Sequence, residues 1–380
     1  MKALEHRCWV EIDLSALERN IGAIRASVPR DVRYISVVKA DAYGHGLLQT
    51  VTKLMQSGVD IFAVANVKEA VAIRELGSGW PILILGPILP NEVDSVVDFD
   101  LIPVVSSVSE VQMLQDLAVK RGKSISVHLK VDTGMGRVGV WHSDCEEIID
   151  VLLSSNSVLL TGVCTHFSCS DTDEAFSMHQ RDTFIEIAKK VISKFPGDVL
   201  VHADNSASLE MFAGDNPFNA IRVGLLQFGT SAHRQSSLFK IAVEPVLGFY
   251  ARVGLIKTLP KGTGVSYGRE HVLKKDSTVA VITAGYADGI PTAASGRLSV
   301  LLKGKRCSVL GRVTMDQMVV DVTAIEDEIS VGDKVTIVGH DGDSTIEITE
   351  FADCSKSIPW ECLCSISKRV ERLYLHLRDL

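Results

Sequence analysis

Short β-rich runs alternate with stretches of helical period from residue 34 to residue 224. The runs are "YISVVKA", "IFAVAN", "PILILG", "LIPVVS", "ISVHLKVDTG", "LTGVCTHFS", "VLVHADNS" and "AIRVG". Apolar runs of this length, bounded by turn residues, read as buried strands. Between them lie amphipathic stretches such as "SVSEVQMLQDLAVKRG", which opens on serines and closes on glycine, the start and stop signals of a helix. Eight strands alternating with helices predict an α/β fold of the (β/α)8 TIM-barrel type, in which chemistry sits at the C-terminal ends of the strands. After about residue 240 the texture changes to strands without helices between them: "EPVLGFYARVGLIKTL", "TVAVITAGYADG", "LSVLLKGKRCSVLG", "QMVVDVTA" and "DKVTIVG". This predicts a second, C-terminal all-β domain. The expected division is a barrel domain over 1–240 and a β domain over 241–380, with the first residues, "RCWVEIDLSAL", pairing with the second domain.

A length of 380 residues suits two domains and a sizeable core. Apolar residues at 46% and charged residues at 23% are ordinary for a globular protein. The net charge of -8 offers no basic face for nucleic acid or anionic lipid, which leaves small molecules as the expected partners. No apolar stretch reaches the roughly 20 residues that span a bilayer, and the charged N-terminus "MKALEHRCWVEIDL" is unlike a signal peptide, so a cytoplasmic protein is expected. The eight cysteines are scattered, and the close pair Cys362 and Cys364 has no second pair to complete a zinc site, so thiols and no metal are expected.

The strand ends carry the candidate chemistry. Lys39 ends the first strand, in "SVVKADAYGHG". A lone lysine at a barrel rim ordinarily snorkels its amine into water. Here other strand ends add polar groups: Lys130 and Arg137 in "KVDTGMGRVG", His166 in "THFS", Asn205 and Ser206 in "HADNSAS", and Arg222 and Gly224 in "IRVG". Glycine and serine after the last two strands match the place where many barrels hold a phosphate. An amine across the mouth can form an imine with an aldehyde, because desolvation and nearby cations lower a lysine's pKa. A phosphorylated aldehyde of this kind is pyridoxal 5'-phosphate.

The blocks "VVKADAYGHG", "LKVDTGMGRVG", "THFS", "HADNSAS", "IRVGLLQFG", "VSYGR", "AGYADG" and "GRVTMDQ", in this order and spacing, resemble the alanine racemase family, and the likeness runs from "WVEID" to "KRVERLY". The resemblance implies that Lys39 carries the cofactor, that Tyr43, Ser206 and the backbone at Gly224 and Leu225 hold its phosphate, and that Arg222 faces the pyridine nitrogen. An arginine there should leave that nitrogen unprotonated, which shortens the life of a carbanion and disfavours decarboxylation and transamination. The resemblance also implies two catalytic bases, Lys39 on one face of the substrate and Tyr267 of a partner subunit on the other, in a homodimer with shared sites. A tyrosine pKa is ordinarily about 10, so cations must favour the phenolate, through a chain from Arg222 to His166 to Tyr267. Arg137 matches a substrate-binding arginine, Lys130 a lysine that some members carry as a carbamate, and Met315 and Asp316 residues that approach the cavity across the dimer interface. The implied activity is interconversion of L- and D-alanine, supplying D-alanine for peptidoglycan.

Two positions depart from the family's pattern. Trp360, in "PWECLC", stands where the family usually has a tyrosine that touches the phosphate and narrows the access channel; the indole keeps the aromatic wall but replaces a hydroxyl with an N–H donor. Near Thr292 the family often has an arginine. Both changes lie on the access side and motivate a serine or broad-specificity racemase as the alternative. A decarboxylase of related architecture is disfavoured by Arg222 and Tyr267, and a non-catalytic single-domain relative would lack "VSYGR".

Overall fold

Residue 8 opens the first strand, β1 (Cys8–Asp13), and eight later strands run parallel in one sheet: β2 (Arg33–Val37), β3 (Ile61–Val64), β4 (Ile82–Ile84), β5 (Ile102–Val105), β6 (Ile125–Asp132), β8 (Val158–Cys164), β9 (Leu200–His202) and β10 (Ala220–Val223), with the two-residue β7 (Val140–Trp141) beside β6. This computed structural model describes residues 6–195, 197–211, 217–231 and 241–376. The sheet order is β10-β2-β3-β4-β5-β6-β8-β9, and each of the eight strands overlaps one of the eight β-rich runs, β2 starting at Arg33 and β8 at Val158, ahead of their runs. The Asn219 side chain and one backbone bond stitch the remaining seam between β9 and β10: Asn219 Oδ1 accepts from Val201 N at 2.6 Å, Asn219 Nδ2 donates to Val199 O at 3.0 Å, and Arg222 N donates to Asp204 O at 2.9 Å. The result is a nearly closed eight-stranded parallel barrel.

The helix over Val108–Arg121 illustrates how the local sequence fixes an element. Ser107 Oγ accepts from Glu110 N at 3.3 Å while the Glu110 carboxylate accepts from Ser107 N at 3.0 Å, a reciprocal cap, and Gly122 ends the helix at φ 60°.

The chain divides into two units. One comprises Met1–Leu17, Tyr43–Gly46 and Glu244–Leu380; the other, the barrel unit, comprises Glu18–Ala42 and Leu47–Val243. In the first unit the sheet is built on β11 (Leu247–Leu259), followed by the ribbon β12 (Gly264–Val265) and β13 (His271–Val272), then β14 (Ser277–Ile282), β15 (Ser299–Leu302), β16 (Lys305–Leu310), β17 (Met318–Asp321), β18 (Lys334–Asp341), β19 (Ser344–Ile346) and β20 (Glu371–Leu375). Strand β1 lies between β11, antiparallel, and β20, parallel, which is why the N-terminal residues belong to this unit. Two short helices, Ile348–Cys354 and Pro359–Ser365, accompany the sheet.

The segment Tyr43–Gly46 is set into this β unit, and its glycines have a steric reason. A Cβ at Gly44 would run into the Leu363 carbonyl, and one at Gly46 into the Tyr374 hydroxyl. That hydroxyl donates to His45 O at 3.1 Å, and Arg372 Nε donates to Gly44 O at 3.2 Å. Both glycines also take positive φ, 79° and 89°.

Candidate active site at the strand exits

Lys39, half-buried at the exit of β2, opens a left-handed turn. Ala40, Asp41, Ala42 and Tyr43 have φ of 54°, 56°, 53° and 55°. Left-handed backbone costs a residue with a Cβ about 1–2 kcal/mol, so four in succession need outside support. Ala40 N donates to Glu69 Oε1 at 2.8 Å, Ala42 N to Val38 O at 3.0 Å, and Leu47 N to Asp41 Oδ1 at 2.8 Å. The other Glu69 oxygen accepts from Ala65 N at 2.9 Å, which ties the turn to the exit of β3. Strain of this kind, held by several bonds, is characteristic of functional sites.

Arg222, at the exit of β10, is 4% exposed. Its Nη1 donates to His202 Nδ1 at 2.7 Å and His202 O at 2.8 Å; its Nη2 donates to Thr165 O at 2.8 Å and Ala203 O at 2.7 Å and approaches His166 Nδ1 at 3.3 Å. A guanidinium only donates, so both Nδ1 atoms accept and both rings carry the proton on Nε2. His202 Nε2 then donates to His128 Nδ1 at 2.8 Å. Burial, reinforced by cations including Arg222, holds His166 and His202 well below the usual imidazole range and His128 at about 3. All three rings are neutral at neutral pH.

At the exit of β6, Asp132 accepts from four backbone N–H groups, of Gly134 (2.9 Å), Met135 (2.8 Å), Gly136 (3.1 Å) and Arg137 (2.9 Å). Burial alone would raise its pKa, but these bonds outweigh it and hold the carboxyl low. The nest shapes the loop that carries Arg137, whose side chain makes no hydrogen bond or ion pair among the described residues. Lys130 is brought down to about 8, first by burial and then by the Arg222 and Arg137 cations, against an opposing contribution from Cys164. Gln180, fully buried, accepts from Ser168 N at 3.0 Å and donates to His166 O at 3.3 Å, so it fixes the loop after β8.

Ser206 Oγ accepts from Gly224 N at 3.1 Å and Leu226 N at 3.3 Å, which leaves its own proton to donate, and Leu225 is 1% exposed. Asn205 Oδ1 accepts from Ala207 N and Ser208 N at 2.9 and 3.0 Å, orienting this turn.

The β unit carries the other candidates. Tyr43 is 7% exposed, and burial, then the Cys364 thiol, push its hydroxyl pKa up. Tyr267 is 71% exposed on the turn between β12 and β13, where Ser266 and Gly268 take φ of 61° and 75°. Ser266 Oγ donates to Arg312 O at 2.7 Å. Met315 is 52% exposed; Asp316 is paired with Arg369 Nη1 at 2.8 Å, and Arg369 also grips buried Asp288 through Nε (2.7 Å) and Nη2 (2.9 Å). Trp360 is half-buried and Thr292 exposed.

Sequence reading gave no role to Asp132, His128, His202, Gln180, Gln227 or Arg369. An aspartate before "TGMG" carries the signal of a side chain capping its own turn; the histidines and glutamines lie inside strands, helices and apolar runs and carry none. Among the described residues no group of three or more His, Cys, Asp or Glu is placed to hold a metal, all eight cysteines are free, and no helix is long and apolar enough to cross a membrane.

An eight-stranded barrel with amine, guanidinium and imidazole groups at its strand exits, continued by a β unit, defines a barrel enzyme whose chemistry is carried on those exits. The chain belongs to the alanine racemase family: residues 12–232 match the alanine racemase N-terminal domain and 246–374 the C-terminal domain. It is 36% identical over 375 residues to the alanine racemase of Halothermothrix orenii, covering 98% of each chain. It is 36% identical over 373 residues to that of Methylacidiphilum infernorum, covering 97% of this chain and 93% of the other. Among solved structures, the alanine racemase of Clostridium difficile 630 superposes with a TM-score of 0.90 at 30% identity, covering 98% of this chain and 96% of that one. That of Bacillus anthracis, solved with bound L-Ala-P, gives 0.88 at 32%, covering 99% and 97%.

Proposed function

We propose that this chain interconverts L- and D-alanine with pyridoxal phosphate borne by Lys39. The observation that carries the reading is Arg222: a cation that keeps its proton, buried at a strand exit, whose hydrogen-bond acceptors are all neutral carbonyls and imidazoles. Such a donor fits a pyridine nitrogen, and the Ser206 hydroxyl, with its proton to donate beside Gly224, fits a phosphate oxygen. Tyr43 and the Leu225 backbone complete the phosphate's holders. When bound, the cofactor withdraws electrons from the substrate's Cα–H bond and so makes that proton removable.

The remaining work falls to the chain. Lys39 takes or returns the Cα proton on one face and Tyr267 on the other. His166, fixed by Arg222 as the Nε2–H tautomer, can donate to a phenolate and so lower the cost of a tyrosine losing its proton. Arg137 binds the substrate carboxylate, and Met315 and Asp316 bound the substrate, with Asp316 ordering its loop through Arg369. Lys130, poised near 8, has enough free amine at neutral pH to attack carbon dioxide, forming an N–C bond and releasing one proton; the carbamate would give Arg137 an anion. Trp360 forms the wall of the access channel. Because Tyr267 stands 71% exposed, it needs a second surface to exclude water, and a homodimer with shared sites supplies one. A cytoplasmic enzyme feeding D-alanine to the cell wall accords with this reading.

Incubation of the purified holoenzyme with L-alanine, followed by chiral chromatography, tests the proposal. Approach to equal amounts of both enantiomers is expected. Loaded enzyme that leaves L-alanine unchanged, or that equilibrates serine faster, would overturn the alanine reading.

A further inference from the structure

Strand β2, which delivers Lys39, and strand β10, which delivers Gly224, are paired neighbours in the barrel, with Ser36 in register with Val223. Beyond these exits, the two strands are also tied together by a polar group that is fully buried. Gln227 lies in the 3₁₀ turn Leu225–Phe228, immediately after Gly224, and is 0% exposed. Its Nε2 donates to Val37 O at 3.0 Å, and its Oε1 accepts from Ser36 Oγ at 2.8 Å and Tyr34 OH at 3.4 Å. Its backbone carbonyl accepts from Asn20 Nδ2 at 3.1 Å. Ser36 and Tyr34 are 0% exposed and Asn20 1%.

A glutamine buried among Leu225, Leu226 and Phe228 is costly unless its amide is satisfied. Here the amide's two ends are read by opposite partners, a carbonyl on one side and hydroxyls on the other, so its orientation is fixed. The group it grips is the backbone of Val37, two residues before Lys39. We propose that Gln227 is a positioning residue that sets the Lys39 amine at a fixed offset from the Gly224 turn. A cofactor anchored by its phosphate at that turn then presents its aldehyde to the amine without either strand exit having to move. This rests on the reading above that Lys39 carries the cofactor. Ordering both exits in advance removes an entropic cost from binding, so the benefit appears as slow cofactor release.

The test compares wild type, Q227M, S36A and S36A/Q227M, each as holoenzyme for cofactor release after dilution into an aldehyde scavenger, and as apoprotein for Tm. Q227M conserves volume but strands the Ser36 hydroxyl and the Val37 carbonyl; release about tenfold faster than wild type is expected, together with a lower apoprotein Tm. In S36A/Q227M the stranded hydroxyl is gone, so Tm should recover in part, while release stays fast because Val37 O still lacks its donor. If Gln227 were only a stability element, release would follow Tm, and the double variant would move back toward wild type in both. A folded Q227M that releases cofactor at the wild-type rate overturns the inference and leaves the proposed function standing. Borohydride reduction of wild type followed by peptide mapping separates the two: a pyridoxyl group absent from Lys39 overturns both.

Discussion

Arg222 in the barrel unit makes five hydrogen-bond contacts at 4% exposure, whereas Tyr267 in the β unit is 71% exposed and its hydroxyl has no partner among the described residues. The same contrast runs through the neighbours. His128, His202, Asp132 and Gln180 are buried and bonded, while Met315 is 52% exposed and Asp316 is held, among the described residues, only by the exposed Arg369. Groups that must keep one protonation state are built into the barrel, where burial and fixed donors decide that state. Tyr267, Met315 and Asp316 on the β unit have a defined backbone but no desolvated surroundings of their own, unlike buried Tyr43 in the same unit, and under the proposed reading those surroundings are supplied by a second copy of the chain.

The largest expected effect falls on the amine. Lys39→Ala should lower racemisation by roughly 10²–10⁴-fold or more, as loss of a general base alone does, with the fold intact by circular dichroism. Retention of more than about a tenth of the activity would remove Lys39 from its role.

Stability separates the two regions next. Arg222→Met strands three carbonyls at about 1–3 kcal/mol each, so urea unfolding should reveal a loss of about 3 kcal/mol or more. Tyr267→Phe removes an exposed hydroxyl and should change stability by less than about 0.5 kcal/mol. Comparable losses in both would erase the contrast.

Acid sharpens it further. His128 is held at about 3 against an ordinary 6.5, so the unfolded chain binds the extra proton first between those values. The stability it contributes is complete above pH 6.5 and drains as pH falls toward 3, with a slope of up to ~1.4 kcal/mol per pH unit. His128→Gln should flatten that slope in denaturation curves taken across this range; an unchanged slope would mean the ring is already charged in the fold.

The smallest effect concerns the wall of the access channel. Trp360→Tyr should shift the ratio of kcat/KM for serine over alanine by less than about tenfold, without a change in reaction type. A ratio that does not move marks the indole as inert in selection.

The barrel was legible because its strands are β-branched runs separated by capped helices, and "RCWVEID" read as a strand for the β unit because nothing in the barrel pattern required it. The left-handed turn after Lys39 was not legible. "KADAY" is rich in helix-favouring residues, and its positive φ values are held by Glu69, which is distant in sequence, and by the bond from Leu47 N back to Asp41. Gln227 was hidden for a related reason: a glutamine in "GLLQF" reads as a surface residue until the fold brings Ser36 and Val37 to meet it. Strand β20, "ERLYL", is polar enough to pass for a tail and is a strand only because β1 lies parallel beside it. Motif residues could be matched by position in the sequence, but the residues that hold them act through contacts between distant segments.

The most direct measurement is subunit complementation. Lys39→Ala and Tyr267→Phe chains, each inactive alone, are mixed under conditions where labelled subunits demonstrably exchange, and alanine racemisation is followed by chiral chromatography. Activity is expected to return, to about one quarter of wild type for random pairing, since half the dimers are mixed and each carries one intact site. Exchange without recovery would contradict a site shared between barrel and β unit of different chains.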